Sequence, residues 1–495
     1  MCLLTCPPDI LSRVFTHLDG YSLMRCGEIC RRLNEIISTD IYAQYSLALY
    51  RSGMIDDPGD HSSVAVVDRL NQLRSFLSRR SSWNEAGPTL AIRVPDSSST
   101  RSHLSWEYSA GLFVSLPTKH SAHSLDFIAS TPTTTSEVEV DLAGIAQTTT
   151  YTEHRVDRHQ DLLVYGMMKR IGAGRETSGF HLLSLSNGQP HPEAAFPYHP
   201  LPYNIGMFSS LHFEIYEDFV LVCDSIDGSY WGDDIYVYNW KTGAVVSPLT
   251  PFSQHIKDVP DLGFTFLDRD HLIGCSNRTS KPLQLQIFSL KTSSCILVLP
   301  FPELVYSHRD IDHEAFNGVS KPSFSPRQND RRRPFRTSPD SAIMSVEIQD
   351  SDRDLNKWCF VCVFPKSAIF ELLTTTDTLS KVPRVVEWGS WPQTTFELPS
   401  PSSTGSHGSR LVTILPNSDL VQIFDFHPRW FTRVMKPVEK GHVFTESIMT
   451  IPPPQPSQEI PLELNGGHWN LYVDEDLLVV GSFREGDGNH YVFKA

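Results

Sequence analysis

The stretch DFVLVCDSIDGSYWGDDIYVYNWKTGAVV, residues 218–246, decides how most of the chain reads. Asp218 opens a turn into the apolar run Phe219–Val222. A polar, Gly-containing segment follows, and a second apolar run, Ile235–Trp240, ends at Lys241-Thr242-Gly243. Short runs of β-branched and aromatic residues between Asp, Gly, Ser and Asn predict strands joined by tight turns. The unit recurs. Asp161 precedes Leu162-Leu163-Val164 and then FHLLSLSNGQ (180–189), and Asp270 precedes His271-Leu272-Ile273 and then LQLQIFSLKTSSCILVL (283–299). Weaker copies begin at Asp354 ahead of KWCFVCVF, at Asp419 ahead of LVQIFDF, and at Asp476 ahead of Leu477–Val480 and the terminal HYVF. SWEYSAGLFVSL (105–116) with HSLDFIAS (123–130) reads as one more.

About seven units, with six as the alternative, predict a β-propeller of four-stranded blades over residues 88–495, because a ring leaves no long sheet edge open. The terminal HYVF is expected to complete a blade begun near residue 90. An irregular β-sandwich, or two smaller β-domains, is the competing architecture. The WD dipeptide is absent, so the region resembles WD-type and kelch-type propellers in architecture alone. Four Ser-, Thr- and Pro-rich stretches, 94–103, 130–137, 320–340 and 397–409, are expected to be mobile loops.

A chain of 495 residues exceeds one ordinary core, so more than one folding unit is expected, and a hydrophobic content of 40% is that of a globular protein. The formal net charge of −15 opposes non-specific binding to nucleic acid or anionic membrane, whose phosphates favour basic partners. No apolar run approaches the roughly 20 residues that cross a bilayer, and no secretory leader pattern opens the sequence. The expectation is a soluble, intracellular chain without nucleic-acid or membrane partners. The 9 cysteines, at 2, 6, 26, 30, 223, 275, 295, 359 and 362, are odd in number and thinly spread, unlike a secreted disulfide framework. Cys359 and Cys362 have CxxC spacing but lie in an apolar run. On a strand, residues three apart point to opposite faces, which argues against zinc. Asn277-Arg278-Thr279 is a glycosylation sequon that is expected to be a plain turn.

Residues 6–37, CPPDILSRVFTHLDGYSLMRCGEICRRLNEII, change the apolar period to that of a helix. Pro7 and Pro8 suit a first helical turn, and Asp9 puts negative charge near the positive end of the helix dipole. Ile10, Leu11, Val14, Phe15 and Leu18 form one stripe that Asp19-Gly20 is expected to end. A second helix is expected from Ser22 as cap, with Leu23 and Cys26 inward, and Ile29, Cys30, Leu33, Ile36 and Ile37 carry the stripe into a third. Three helices this short cannot bury all of this surface alone, so part of it is expected to meet another chain or the rest of this one.

On these residues the segment resembles an F-box, a family whose opening Leu-Pro-x-Glu is followed by apolar pairs at helical spacing. Pro7, Asp9, Ile10, Leu11, Val14, Phe15, Leu18, Leu23, Ile29 and Cys30 match that pattern. Cys6 stands where the family usually has Leu, and Leu33 where it often has Trp. The resemblance implies that these residues, Leu33 included, bind a Skp-type linker protein of a cullin ubiquitin-ligase complex. DIYAQYSLALYRSGMIDDP (40–58), followed by the helix-like SSVAVVDRLNQLRSFLSRRSSW (62–83), is similar to the segment after the box in fungal F-box proteins, especially those of mushrooms. Val66, Leu70, Leu73 and Leu77 share one face of that helix, with Arg69, Arg74, Arg79 and Arg80 around the other side. The expected units are a helical module at 1–50, a helical linker at 51–87 and the β-region at 88–495.

Enzymatic motifs fail on context. Gly172-Ala173-Gly174 has Thr177 in place of the third glycine of a dinucleotide loop and leads into a strand, so a hairpin is expected. Nucleophile elbow, P-loop and HExxH are absent and the 20 histidines are scattered, so no catalytic residue, metal or cofactor is expected. Carboxylates at Asp233-Asp234, at Asp258 with Asp261, and at Asp474-Glu475-Asp476 read as strand-flanking turns. Arg331-Arg332-Arg333 with Arg336 reads as a solvated loop, or else as a nuclear localisation signal. Tyr230, Trp231, Trp388 and Trp391 lie beside Gly, Pro or Ser turns, where a propeller presents ligand-contacting loops. They are the candidate substrate anchors, with core packing as the competing reading. The chain therefore reads as a multidomain α plus all-β protein of the cytoplasm or nucleus, a non-enzymatic adaptor that docks the linker and recruits an unknown protein substrate through the propeller. A scaffold without degradative output and a propeller hydrolase are the alternatives.

Overall fold

The computed structural model describes residues 6–57, 63–81, 90–94, 105–109, 112–116, 124–128, 135–139, 149–171, 175–201, 209–226, 235–248, 264–278, 281–301, 334–338, 341–350, 358–376, 382–387, 390–391, 394–399, 403–414, 420–426, 456, 458–461, 468–473, 477–484 and 487–494. Four helices open the chain: α1 (Pro8–Phe15), α2 (Gly20–Ile29), α3 (Arg31–Thr39) and α4 (Ile41–Ser52). Leu11, Phe15, Leu23, Leu33, Ile37 and Ala43, drawn from all four, close one small core. The start of α2 differs from the sequence expectation. Asp19 rather than Ser22 is the cap, its carboxylate accepting the Ser22 amide at 2.7 Å, and Gly20 opens α2 instead of ending α1. A Cβ on Gly20 would lie 2.2 Å from Tyr50 Cβ, so glycine is what lets α2 cross α4. Next come β1 (Met54–Asp56) and α5 (Val66–Ser81), which packs on α4 through Leu70, Leu73 and Phe76.

Past residue 88 the described residues are mostly strand. After β2 (Leu90–Val94) come two hairpins, β3 (Ser105–Ser109) with β4 (Leu112–Leu116), and β5 (Ser124–Ile128) with β6 (Thr135–Glu139). Two four-stranded antiparallel meanders follow. The first runs β7 (Thr149–Asp157), β8 (Leu162–Ile171), β9 (Arg175–Ser184) and β10 (Tyr198–Pro200), and the second β11 (Ser209–Tyr216), β12 (Phe219–Ile226), β13 (Ile235–Asn239) and β14 (Val245–Pro248). The next sheet holds β15 (Phe264–Phe266), β16 (His271–Arg278), β17 (Lys281–Ser289) and β18 (Ser294–Pro300). After it, β19 (Phe335–Thr337) pairs with β1, not with a neighbour in the body. A three-stranded sheet follows, of β20 (Ile343–Asp350), β21 (Trp358–Pro365) and β23 (Thr394–Pro399). Between its last two strands, α6 (Lys366–Thr374) precedes β22 (Arg384–Val385), which adds parallel to β18. The last sheets are β24 (Ser403–His407), β25 (Arg410–Ile414), β26 (Leu420–Asp425) and β27 (Gln458–Pro461), and then β28 (His468–Val473), β29 (Leu477–Arg484) and β30 (Asp487–Lys494). β30 pairs on its far side with β2, in a register that sets Leu90 against Val492. The expected closure is thus present: the end of the chain lies between β29 and a strand from the start of the body.

One backbone bond repeats from sheet to sheet. Across five antiparallel strand pairs, the N–H that follows the later strand donates to the carbonyl that precedes the earlier one: Leu185 to Asp161 (2.7 Å), Trp240 to Asp218 (2.9 Å), Leu290 to Asp270 (2.8 Å), Lys366 to Ala342 (2.7 Å) and Phe426 to Ser409 (2.7 Å). This bond corrects the phase of two repeats. Asp354 and Asp419 lie outside the described residues, but the strands after them, β21 and β26, are the later of such a pair, whereas those after Asp161, Asp218 and Asp270 are the earlier. The matching turns are at Ala342 and Ser409. The acceptor is a main-chain carbonyl, so no acidic side chain is required there.

From β11 to β27 the strands are apolar on both faces because each of the four sheets there packs against two others. On β12, Val220 and Val222 join Val164, Phe180, Tyr238 and Trp240 on one side, while Phe219 and Leu221 join Phe266, Leu272 and Phe288 on the other. The series continues with Ile273 and Ile287 against Met344 and Phe364, Val361 and Val363 against Leu411 and Phe424, and Val412 and Ile423 against Leu478 and Val480. Consecutive antiparallel sheets stacked face to face, with first and last strands sharing one sheet, form the topology of a β-propeller. Buried Glu214 bridges two of them, accepting from Thr265 Oγ1 (2.6 Å) and the Phe266 amide (3.1 Å). All four stretches expected to be loops contain strand residues: Val94 ends β2, and the others overlap Thr135–Glu139, Phe335–Thr337 and Ser403–His407. Thr and Ser fit a pleated surface, and strand pairing outweighs local composition.

Deleting residues 485–495 removes β30 and with it the joint between β29 and β2. Calorimetry on the truncated chain is expected to show a melting temperature lowered by more than about 5 °C; an unchanged transition would rule out the closure. A second outcome concerns pH. Complete burial, reinforced by the Arg155 charge, pushes the His154 imidazole down to about 3. The unfolded histidine protonates near 6.5, so the stabilisation is full above that pH and is lost as pH falls toward 3, at roughly 1.4 kcal/mol per pH unit. Urea titrations between pH 7 and pH 4.5 are expected to show this slope, reduced by about one proton in His154→Asn; equal slopes would contradict it.

Candidate docking site

The helical module separates its apolar residues into two sets. Leu11, Phe15, Leu23 and Leu33 are consumed by the core described above, with Leu18 and Cys30 half-buried against it. Ile10, Val14 and Ile29 point outward and are 45%, 41% and 69% exposed. Pro7 and Asp9 are exposed at the start of α1. Of the eleven residues expected to bind a linker, the outward apolar ones are therefore Ile10, Val14 and Ile29. An acidic residue at Leu11 would attack the module's own core instead of a docking surface. Ile10 and Val14 are four apart on α1, one turn along the same face. The helices around them are held by local bonds: Asp40 caps α4 by accepting the Ala43 amide at 2.8 Å, and Arg32 Nη2 donates to the Cys6 carbonyl at 3.0 Å, tying α3 to the residue ahead of α1. Nothing in the periodicity of one helix says which side of a wide stripe its neighbours will cover. Which residues face inward is set by where α2, α3 and α4 lie.

The four aromatic candidates in the body divide differently. Tyr230, Trp231 and Trp388 lie outside the described residues. Trp391 does not serve as a surface anchor: it is 1% exposed, sits among Leu297, Met344, Cys362 and Val386, and meets the Phe364 ring edge-on at 5.4 Å. Its Gly- and Pro-flanked setting suggested a loop tip, but the chain there returns from β22 across the sheet interface and needs a large side chain to fill it. Arg331–Arg333 also lie outside the described residues, as do Asp233-Asp234, Asp258, Asp261 and Asp474–Asp476. Arg336, read as part of the same solvated loop, stands on β19 and pairs with Asp57 at 3.0 Å. The strands around Gly172–Gly174 close as a hairpin with Ile171 opposite Arg175, and the sequon falls at a hairpin with Arg278 opposite Lys281. Cys362 is buried between sheets, and among the described residues no group of three His, Cys, Asp or Glu is placed to hold a metal. Among the described residues no helix is long and apolar enough to cross a membrane.

A family model described as F-box-like matches residues 4–48, a stretch that takes in α1 to α3 and most of α4. No curated protein matches the chain. Among solved structures, it is similar to the β-propeller domain of the trilobed protease from Pyrococcus furiosus, with a TM-score of 0.35, 9% identity, and coverage of 70% of this chain and 83% of that one. It is also similar to a prolyl endopeptidase (TM-score 0.24, 12% identity, 54% and 31% covered). A third similarity is to the α-L-arabinofuranosidase PaAbf62A from Podospora anserina (TM-score 0.25, 12% identity, 58% and 87% covered). At these TM-scores the likenesses carry no functional argument, and the propeller topology rests on strand order and packing. A helical F-box-like region thus precedes a body built largely of strands.

Trp391→Ala is expected to destabilise the body by about 3–5 kcal/mol, the usual range for emptying a large aromatic site. Urea denaturation measures it, and a loss below about 1 kcal/mol would return Trp391 to the candidate surface anchors.

Proposed function

We propose that this chain is an adaptor whose helical module docks a Skp-type linker of a cullin ubiquitin ligase, while the β-body recruits a protein substrate. The observation that carries the reading is the outward apolar set Ile10, Val14 and Ile29, on the helices that match the F-box-like model. Apolar side chains gathered on one small module are favourable when a partner covers them. The body would form seven units, hairpins β3–β4 and β5–β6 counting as one and β2 with β28–β30 as the last. The stretch after the box keeps its likeness to fungal, mushroom-type F-box proteins. In this reading the chain contributes no catalytic group, works in the cytoplasm or nucleus, and leaves ubiquitin transfer to its partners.

The test replaces Ile10, Val14 and Ile29 together by Asp in the full chain and measures affinity for a purified Skp-type linker. Central interface side chains of this kind are worth about 2 kcal/mol each, so binding is expected to fall by more than about a thousandfold. The melting transition should stay in place, because none of the three residues is core. Unchanged affinity would remove the docking assignment.

A further inference from the structure

We infer that β1 and β19 form a latch that makes the helical segment and the β-body one co-folding unit, fixing whatever the helices hold at a set orientation to the body. The ladder pairs Met54 with Thr337, Ile55 with Arg336 and Asp56 with Phe335. Backbone bonds extend it at both ends, from the Asp57 amide to the Pro334 carbonyl and from the Ser338 amide to the Gly53 carbonyl, each at 2.8 Å. Three residue pairs alone would be marginal in water. Side chains from both partners supply the rest.

Met54 and Phe335 enter the same cluster as Tyr45 and Leu49 of α4 and Leu70, Leu73 and Phe76 of α5, with the Phe335 and Phe76 rings 5.6 Å apart. The core between α4 and α5 is therefore completed by a residue some 250 positions later in the chain. Around it, Tyr45 donates to Asp56 at 2.8 Å, Arg69 donates to both oxygens of Asp56 at 3.0 and 2.7 Å, and Arg336 pairs with Asp57. The turn is equally specific. Gly53 has φ +68°, a Cβ there would meet Ser341 at 3.0 Å, and the Ser341 hydroxyl donates to the Gly53 carbonyl at 2.7 Å.

The body gives up a regular feature to make this joint. In the β7–β10 and β11–β14 sheets, the strand before the repeating turn pairs with the second strand. Before the Ala342 turn the corresponding strand is β19, which pairs outward with β1, and among the described residues no strand occupies the other edge of β20. The segment expected to be a linker is thus a structural part of the body. This conclusion does not depend on what the helices dock.

Amide hydrogen exchange on the full chain tests it. The Asp57 and Ser338 amides are expected to exchange at least about a thousandfold more slowly than unstructured amides, in step with β12. Phe335→Ala is expected to speed exchange in 54–57, in 66–81 and in β11 to β14 together, by at least about thirtyfold; loss of protection confined to 54–57 and 66–81 would overturn co-folding. Free exchange of Asp57 and Ser338 in the unaltered chain would overturn the latch. So would an α5 whose protection survives Phe335→Ala in a folded protein.

Discussion

The bond from the N–H after the later strand of a pair to the carbonyl before the earlier one, made five times between Leu185–Asp161 and Phe426–Ser409, closes one end of five strand pairs and sets their register. With register fixed, side-chain direction follows, because a slip of one residue would send every inward group to the opposite face. Each strand can then serve two cores at once. Val220 and Val222 fill one side and Phe219 and Leu221 the other, so the sheets stack in series and no single central core is needed. Such a stack is stable when its free ends are joined, and the β30–β2 pairing joins them.

The helices depend on this scaffold more than their length suggests. Four helices of 8 to 12 residues are individually marginal, and the module's own core is six residues. Its support comes through α4, whose inner face is shared with α5, Met54 and Phe335. The consequence for an adaptor is geometric. Among the described residues, the helices carrying Ile10, Val14 and Ile29 are connected to the sheets by packed side chains and paired backbone.

Sequence reading reached the parts of this arrangement that repeat or that use helical period. The apolar runs beginning at Leu162, Phe219 and His271, the stripe along α1 and the role of the terminal strand follow from patterns that burial imposes. Other parts were not legible, for identifiable reasons. The turns at Ala342 and Ser409 were missed because a main-chain carbonyl does the bonding, whatever side chain it carries. Met54–Asp56 is too short for an alternating pattern, and its partner lies in a Ser-, Pro- and Arg-rich stretch that reads as loop. Gly and Pro beside Trp391 describe a chain that turns, and a chain can turn inside an interface as well as at a surface. The division between Leu11 and Ile10 is tertiary information, since adjacent residues on one stripe differ only in which neighbouring helix covers them.

Hydroxyl-radical footprinting of the full chain with and without a purified Skp-type linker tests the central claim most directly, since it reads side-chain cover residue by residue. The account predicts that oxidation of Ile10, Val14 and Ile29 falls severalfold on adding the linker, while the exposed Val245 and Val246 of the body are unaffected. Equal labelling of all five residues in both samples, at linker concentrations that saturate a known F-box protein, would contradict it.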